Sequence, residues 1–309
     1  MNVRTQNFFN PDLQTSWSGI KTLNAPTARD ALRASGLDWN VVNKPLFLEG
    51  GREVPKARAI VREDNGVVLG VVGKQYQPIQ NKDGLAFFDD VSSQFDDMRY
   101  VSAGSIAGGR RVWLLADFGG FDAQSGDEIR KQILLFNSHD GSSTMSYVFC
   151  PMRITCNNQI AVTLTRDKFL KIRHSQDAMV RFNDARKVAS HAVKNYDSIK
   201  QVYKTLVQTS LTDELISGSL EALFPIEEAE GRTLTRRSNT RREITRLLSE
   251  GKGSEQPKTA FSLYNAFSEY YTHHTQANTE NGKERRWSNN LFGKGAKNMN
   301  VVTKVLLAG

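Results

Sequence analysis

Between the runs KARAIVRED (56–64) and GVVLGVVGKQYQPI (66–79) the chain places Asp64-Asn65-Gly66. Asn-Gly flanked by β-branched residues favours the tight turn whose backbone twist matches two antiparallel strands. This pairing constrains the fold more than any other local feature, because it commits the region to hairpins. Two more turns continue the theme. RYVSAGSIAGG and RRVWLLADFGG meet at Gly108-Gly109, where glycine adopts positive φ without steric cost. GDEIRKQILLFNSHDGSS and MSYVFCPMRITCNNQIAVTL meet around Asp140-Gly141. Between the first two hairpins, Leu85, Phe88, Val91 and Phe95 recur at helical spacing. Residues 26–35 read as a short helix, with Thr27 as cap and Gly36 as stop. Residues 1–23 read as an extended arm. Hairpin, helix, hairpin, hairpin is the pattern of an antiparallel sheet with a helix on one face, not of a doubly wound parallel sheet.

The pattern changes after Asp167. Ala178, Phe182, Ala185, Ala189, Ala192, Tyr196, Ile199, Tyr203 and Leu206 recur at steps of four and three, a seam on one helix of about 30 residues. Such a seam packs on the protein's own sheet or on a second copy. LTDELISGSLEALF forms another helix, ended by Pro225. The stretch Arg236 to Leu248 reads as a basic helix between linkers, and residues 259–273 as an aromatic helix. The expected class is α+β: an antiparallel hairpin sheet packed against a long helix, then a helical C-terminal region. The expected divisions are an arm and short helix over 1–35, a core domain over 36–225, a basic, partly mobile linker over 226–257, and a helical basic element over 258–309.

Charge is uneven. The net charge is +8 over 309 residues. Residues 168–204 hold nine Lys/Arg against three Asp, residues 232–252 seven against two, and residues 283–304 six against one. These segments carry +16, so the remainder is acidic at −8. Three basic segments after an acidic half suggest a polyanionic partner. No apolar run approaches the ~20 residues of a membrane span, and the N-terminus lacks the apolar core of a secretory signal. Two cysteines, Cys150 and Cys156, are too few for a disulfide framework, so a reducing cytoplasm is the expected location.

Catalytic motifs fare poorly. A phosphate loop needs Gly, four residues, then Gly-Lys-Ser/Thr. Counting back from Gly73-Lys74 reaches Val68, and Gln75 follows the lysine. Cys150 and Cys156 are spaced too widely for a zinc knuckle. His139-Asp140-Gly141-Ser142-Ser143 supplies an imidazole, a carboxylate and hydroxyls, but Asp-Gly also belongs in a turn. A metal-dependent nuclease remains an alternative, with Asp117, Asp140 and Asp167 as its acids. Single-stranded nucleic acid asks for a cationic track and planar side chains. Arg110 and Arg111 follow a hairpin turn, and Arg153 sits in the last strand. Arg166, Lys168, Lys171, Arg173 and His174 lie at the sheet-to-helix junction. Tyr76, Trp113 and Tyr147 are the aromatic candidates.

The succession LDWNVVNKPLF, VREDNGVVLGVVGKQYQPIQN, AGSIAGGRRVWLLADF, LLFNSHDGSSTMSYVFCPMRITCNNQI and IRHS resembles the phage/plasmid-like protein family, known as domain of unknown function nine-three-two. The resemblance covers roughly residues 36–300. It implies a mobile-element protein, from a phage or plasmid, in a bacterial cytoplasm. It also implies a remote similarity to the Rad-fifty-two superfamily of single-strand annealing proteins, which hold single-stranded DNA in a basic groove of a ring or helical assembly without ATP. The expectation is therefore a cofactor-free, non-enzymatic, homo-oligomeric protein that binds and anneals single-stranded DNA. The alternative is a nuclease or a host-protein-binding factor. Arg153 is the residue expected to face DNA.

Overall fold

A computed structural model describes residues 21–92, 98–124, 127–149, 151–153, 158–159, 169–178, 196–252, 254–275, 286, 289–290 and 293–309. The fold is α+β, with two antiparallel sheets and a helical C-terminal region.

The Asn65-Gly66 turn joins β3 (Glu53–Arg62) to β4 (Val68–Gly73). Gly66 takes φ 73°, and the Asn65 side-chain oxygen accepts from the Val67 amide at 3.0 Å. β2 (Val41–Phe47) pairs on the other side of β3, completing a three-stranded sheet. Pro45 is tolerated there because β2 is an edge strand, where a missing N–H costs little. Helix α1 (Ala28–Ser35) begins where Thr27 accepts from the Asp30 amide and stops at Gly36, whose φ of 70° is left-handed.

The larger sheet runs in the order β1 (Lys21–Ala25), β5 (Arg99–Ile106), β6 (Arg111–Gln124), β7 (Asp127–Ser138), β8 (Met145–Phe149) and β11 (Phe169–Ile172). Two short strands, β9 (Met152–Arg153) and β10 (Asn158–Gln159), pair beside β7. The long β6–β7 pairing starts at Arg111 opposite Ser138 and ends at Gln124 opposite Asp127. One face presents Val112, Leu114, Ile133, Leu135 and Tyr147 to α1 and to α2 (Asn81–Ser92). Phe88 of α2 is fully buried, with its ring 5.8 Å from those of Tyr100 and Tyr147. Burial of each such side chain contributes roughly 1.5–3 kcal/mol. Trp113, Leu115, Leu134 and Val148, on the opposite face, are buried as well. Burial on both faces explains why VWLLA and ILLF are continuous apolar runs rather than alternating ones.

The helical seam is described from residue 196 to 208 (α3). Tyr196, Ile199, Tyr203 and Leu206 are all buried within this chain. The Tyr196 hydroxyl donates to the Gln132 carbonyl of β7. Tyr203 meets Phe261 and Tyr264 edge-on at 5.6 and 6.0 Å. This half of the seam therefore joins the sheet to the C-terminal helices. Phe182, Ala185, Ala189 and Ala192 lie outside the described residues. Then follow α4 (Asp213–Leu223), α5 (Gly231–Glu250), α6 (Ala260–Glu269), a π-helical turn (Tyr270–His274) and α7 (Lys294–Ala308). No described helix is long and apolar enough to cross a membrane.

Candidate nucleic-acid interface

The antiparallel order brings three chain segments to one end of the larger sheet. They are the β5–β6 turn at 107–110, the β7–β8 turn at 139–144, and the end of β11 at 172–174. Their backbones are tied together. The His139 amide donates to the Arg110 carbonyl at 2.7 Å, and the Gln77 amide to the His174 carbonyl at 3.1 Å.

The β7–β8 turn is a closed hydrogen-bond unit. One Asp140 carboxylate oxygen accepts from the Ser138 hydroxyl at 2.7 Å and from the Ser142 amide at 2.9 Å. The Ser138 hydroxyl in turn accepts from the Ser143 amide at 3.2 Å. Arg111 donates to the Ser142 hydroxyl and lies 3.6 Å from the Asp140 carboxylate. Burial alone would raise the Asp140 pKa. The bonds from Ser142 and Ser138, with the Arg111 charge, outweigh it and hold the carboxyl below its ordinary value. The three-stranded sheet rests on this turn. A Cβ on Gly70 would come within 2.6 Å of the Asp140 Cα.

His139 is fully buried beneath the turn. Its Nε2 meets the Asn81 side-chain oxygen at 2.9 Å, while the Asn81 amide nitrogen donates to the Leu37 carbonyl at 2.9 Å. The acceptor role of Asn81 fixes the proton on Nε2. Burial, with a contribution from the nearby His174, lowers the His139 pKa to about 3. Trp39 packs over the His139 ring at 5.2 Å. Arg62 covers Trp39 at 4.3 Å while holding Asp64 through two bonds. His139 thus bonds Asn81 rather than Ser138, Ser142 or Ser143, and the sequence HDGSS reads as a folded turn rather than a nucleophile with its base. Asp117 sits midway along β6, roughly 20 Å away by strand rise, where Arg130 grips it with two bonds. Among the described residues no three His, Cys, Asp or Glu side chains come together as metal ligands. Asp167, Cys150 and Cys156 lie outside the described residues.

Tyr76 stacks on His174 with ring centroids 4.6 Å apart, and its hydroxyl donates to the Ser138 carbonyl at 2.8 Å. Burial lowers the His174 pKa to about 4. Trp113 and Tyr147 are core residues, 2% and 0% exposed, so neither ring is available to stack on a base. The Tyr147 hydroxyl donates to the Gly84 carbonyl at 2.7 Å.

Five of the eight predicted site residues gather at this sheet end. Arg110, Lys171 and Arg173 are exposed, Arg111 is half-buried and engaged with Asp140, and His174 is half-buried. Among the described residues the Arg110 and Arg173 side chains take no hydrogen bond and no acidic partner. Arg153 stands apart. It pairs with Ile129 on β7, nine positions from Ser138, or roughly 30 Å by strand rise. Arg166 and Lys168 lie outside the described residues. One exposed cation that the sequence reading passed over borders the cluster. Lys74 precedes the Tyr76 turn, and its amide donates to the Lys56 carbonyl at 3.2 Å. Its signal was the GKQYQP segment, where Tyr76 is an aromatic candidate but the lysine enters only through a failed phosphate loop.

A family model described as Domain of unknown function (DUF932) matches residues 68–291, which spans β4, the hairpins of the larger sheet from β5 onward, the turn at 138–143 and helices α4 to α6. No curated protein and no solved structure matches the chain. With well over half its length matched, the chain belongs to the DUF932 family.

Proposed function

We propose that this protein binds single-stranded DNA through the turn-bearing end of its larger sheet and promotes strand annealing without ATP, as an oligomer in a bacterial cytoplasm. The observation that carries the reading is the gathering of Arg110, from the β5–β6 turn, and Lys171 and Arg173, from the end of β11, all exposed, around a β7–β8 turn whose only carboxylate, Asp140, is already bonded. A cationic surface with little acid around it attracts phosphates and gives little base specificity. The rigid support is part of the argument. Tyr76, His174, His139 and Asn81 lock the turns together, so the backbone positions that carry the cations are set without a ligand.

Anisotropy of a labelled strand of about 40 nucleotides in EDTA tests this, since each lost phosphate contact should flatten the log–log salt dependence by about 0.7. The Arg110→Ala/Arg173→Ala variant should bind more weakly, with a slope shallower by about 1.4. An unchanged affinity and slope would refute this location for the site.

A further inference from the structure

The C-terminal helices carry a second cationic surface, on α5. The sequence of this 20-residue helix is GRTLTRRSNTRREITRLLSE. Its second half is anchored. Ile244 and Leu247 are buried, the Thr240 hydroxyl meets the Tyr270 hydroxyl at 3.1 Å, and Arg241 bonds Glu221 and the Phe224 carbonyl. Arg237 bonds the Pro225 carbonyl. These contacts all lie on one side. The first six residues, Gly231 to Arg236, are exposed at every position, so the opening turns of the helix stand clear of the body.

The side opposite the anchor is polar throughout. At 100° per residue it presents Thr235, Asn239, Arg242 and Arg246, with Arg232 and Glu250 at its edge, while Arg236 lies beside the anchored side on an exposed turn. Arg246 is matched by Glu243 and Glu250. Arg232 and Arg236 take no hydrogen bond or ion pair among the described residues, and Arg242 has only a 3.5 Å contact to Asn239. The absence of an apolar stripe on this side argues against a membrane surface, which needs one. It argues against a protein groove for the same reason. Guanidinium, amide and hydroxyl groups on a projecting helix are instead the groups that bond phosphates and base edges. A helix with side chains is about 10–12 Å across, which matches the roughly 12 Å major groove of B-form DNA and not the narrow major groove of an RNA duplex.

We infer that α5 is a duplex-DNA-binding helix, entering the major groove through its free N-terminal turns with Arg232, Arg236 and Arg242 on phosphates or guanines and Asn239 among them. This surface is separate from the sheet-end cations and does not depend on their role. The two sites would let one protein hold both a single strand and a duplex.

The test is anisotropy of a labelled DNA duplex of about 20 base pairs in EDTA across a salt series, where each lost contact flattens the slope by about 0.9. Wild-type protein should bind, and Arg232→Gln/Arg236→Gln/Arg242→Gln should lose about tenfold or more in affinity, with a slope shallower by up to about 2.7. Circular dichroism should be unchanged, because all three side chains are outside the core. Arg246→Gln, which removes a cation already paired, should have a much smaller effect. Binding to single strands should survive the triple variant and fall in Arg110→Ala/Arg173→Ala, which separates failure of one site from failure of the other. A wild-type protein that ignores the duplex at about 100 mM salt, a triple variant that keeps wild-type affinity and slope, or binding only to phosphatidylserine vesicles would overturn the inference.

Discussion

Lowering the pH from 7 to 5 should destabilise this protein through two buried imidazoles. His139 and His174 have pKa values lowered from 6.5 to about 3 and about 4, in each case chiefly by burial. His139 has one ring nitrogen on Asn81 and the other sealed without a partner, while both ring nitrogens of His174 are sealed. A folded-state pKa below the unfolded value means that the unfolded chain binds protons first. The neutral form contributes its full stability above pH 6.5. That contribution falls as pH drops below 6.5, and the loss stops only below the folded values. Each pH unit inside that window costs about 1.4 kcal/mol per group. At pH 5 the loss is about 2 kcal/mol for each imidazole and about 4 kcal/mol for both, a large part of the stability of an ordinary domain. Carboxylates contribute little in this window, because their unfolded values lie near 4. Urea unfolding at pH 7 and pH 5 measures the difference. His174→Phe, which keeps an aromatic ring against Tyr76, should recover about half of it, and His139→Gln/His174→Phe nearly all. The reasoning fails if wild type is equally stable at both pH values, or if His174→Phe retains the full wild-type loss.

Three substitutions probe the frame. Arg130→Ala should cost about 3–5 kcal/mol in urea unfolding, since it leaves the 2% exposed Asp117 carboxylate without the guanidinium that grips it. Gly70→Ala should cost about 1–3 kcal/mol and loosen the 138–143 turn, because the new Cβ would strike the Asp140 backbone at 2.6 Å. Ala107→Gly should raise the melting temperature slightly, since Ala107 sits at φ 53°, where an L-residue costs about 1–2 kcal/mol and glycine does not.

Where turn chemistry is local, the sequence was readable. Asn65-Gly66, Gly108-Gly109 and Asp140-Gly141 all mark strand connections, and Thr27 and Gly36 bound α1, because each acts through its own backbone dihedrals. The basic segment Arg236 to Leu248 is helical and extends from Gly231 to Glu250. Other features depend on distant partners. The β2–β3 pairing was missed because Pro45 and the Gly50-Gly51 turn interrupt the apolar pattern that marks a strand. Trp113 and Tyr147 are candidates in sequence both for stacking on bases and for the core, and the choice depends on the covering of both faces of the central strands. The aromatic helix read through 273 changes to a π turn at Tyr270. There, Arg286 donates to the Thr272 and His273 carbonyls and Asn290 to that of Tyr271, bonds from residues 13 to 19 positions away that no local pattern announces. Among the site residues, spacing could not reveal that Arg111 would be held by Asp140, or that Arg153 would pair beside Ile129, far from Arg110 and Arg173.

The most direct test of the central claim is the pairing rate of two complementary labelled strands of about 40 nucleotides, followed by energy transfer in EDTA and without nucleotide, with salt dependence as the control. The account predicts that wild-type protein binds the single strand and accelerates pairing, and that Arg110→Ala/Arg173→Ala does both less well. A pairing rate equal to that of the strands alone, with no single-strand binding at about 150 mM salt, would contradict it.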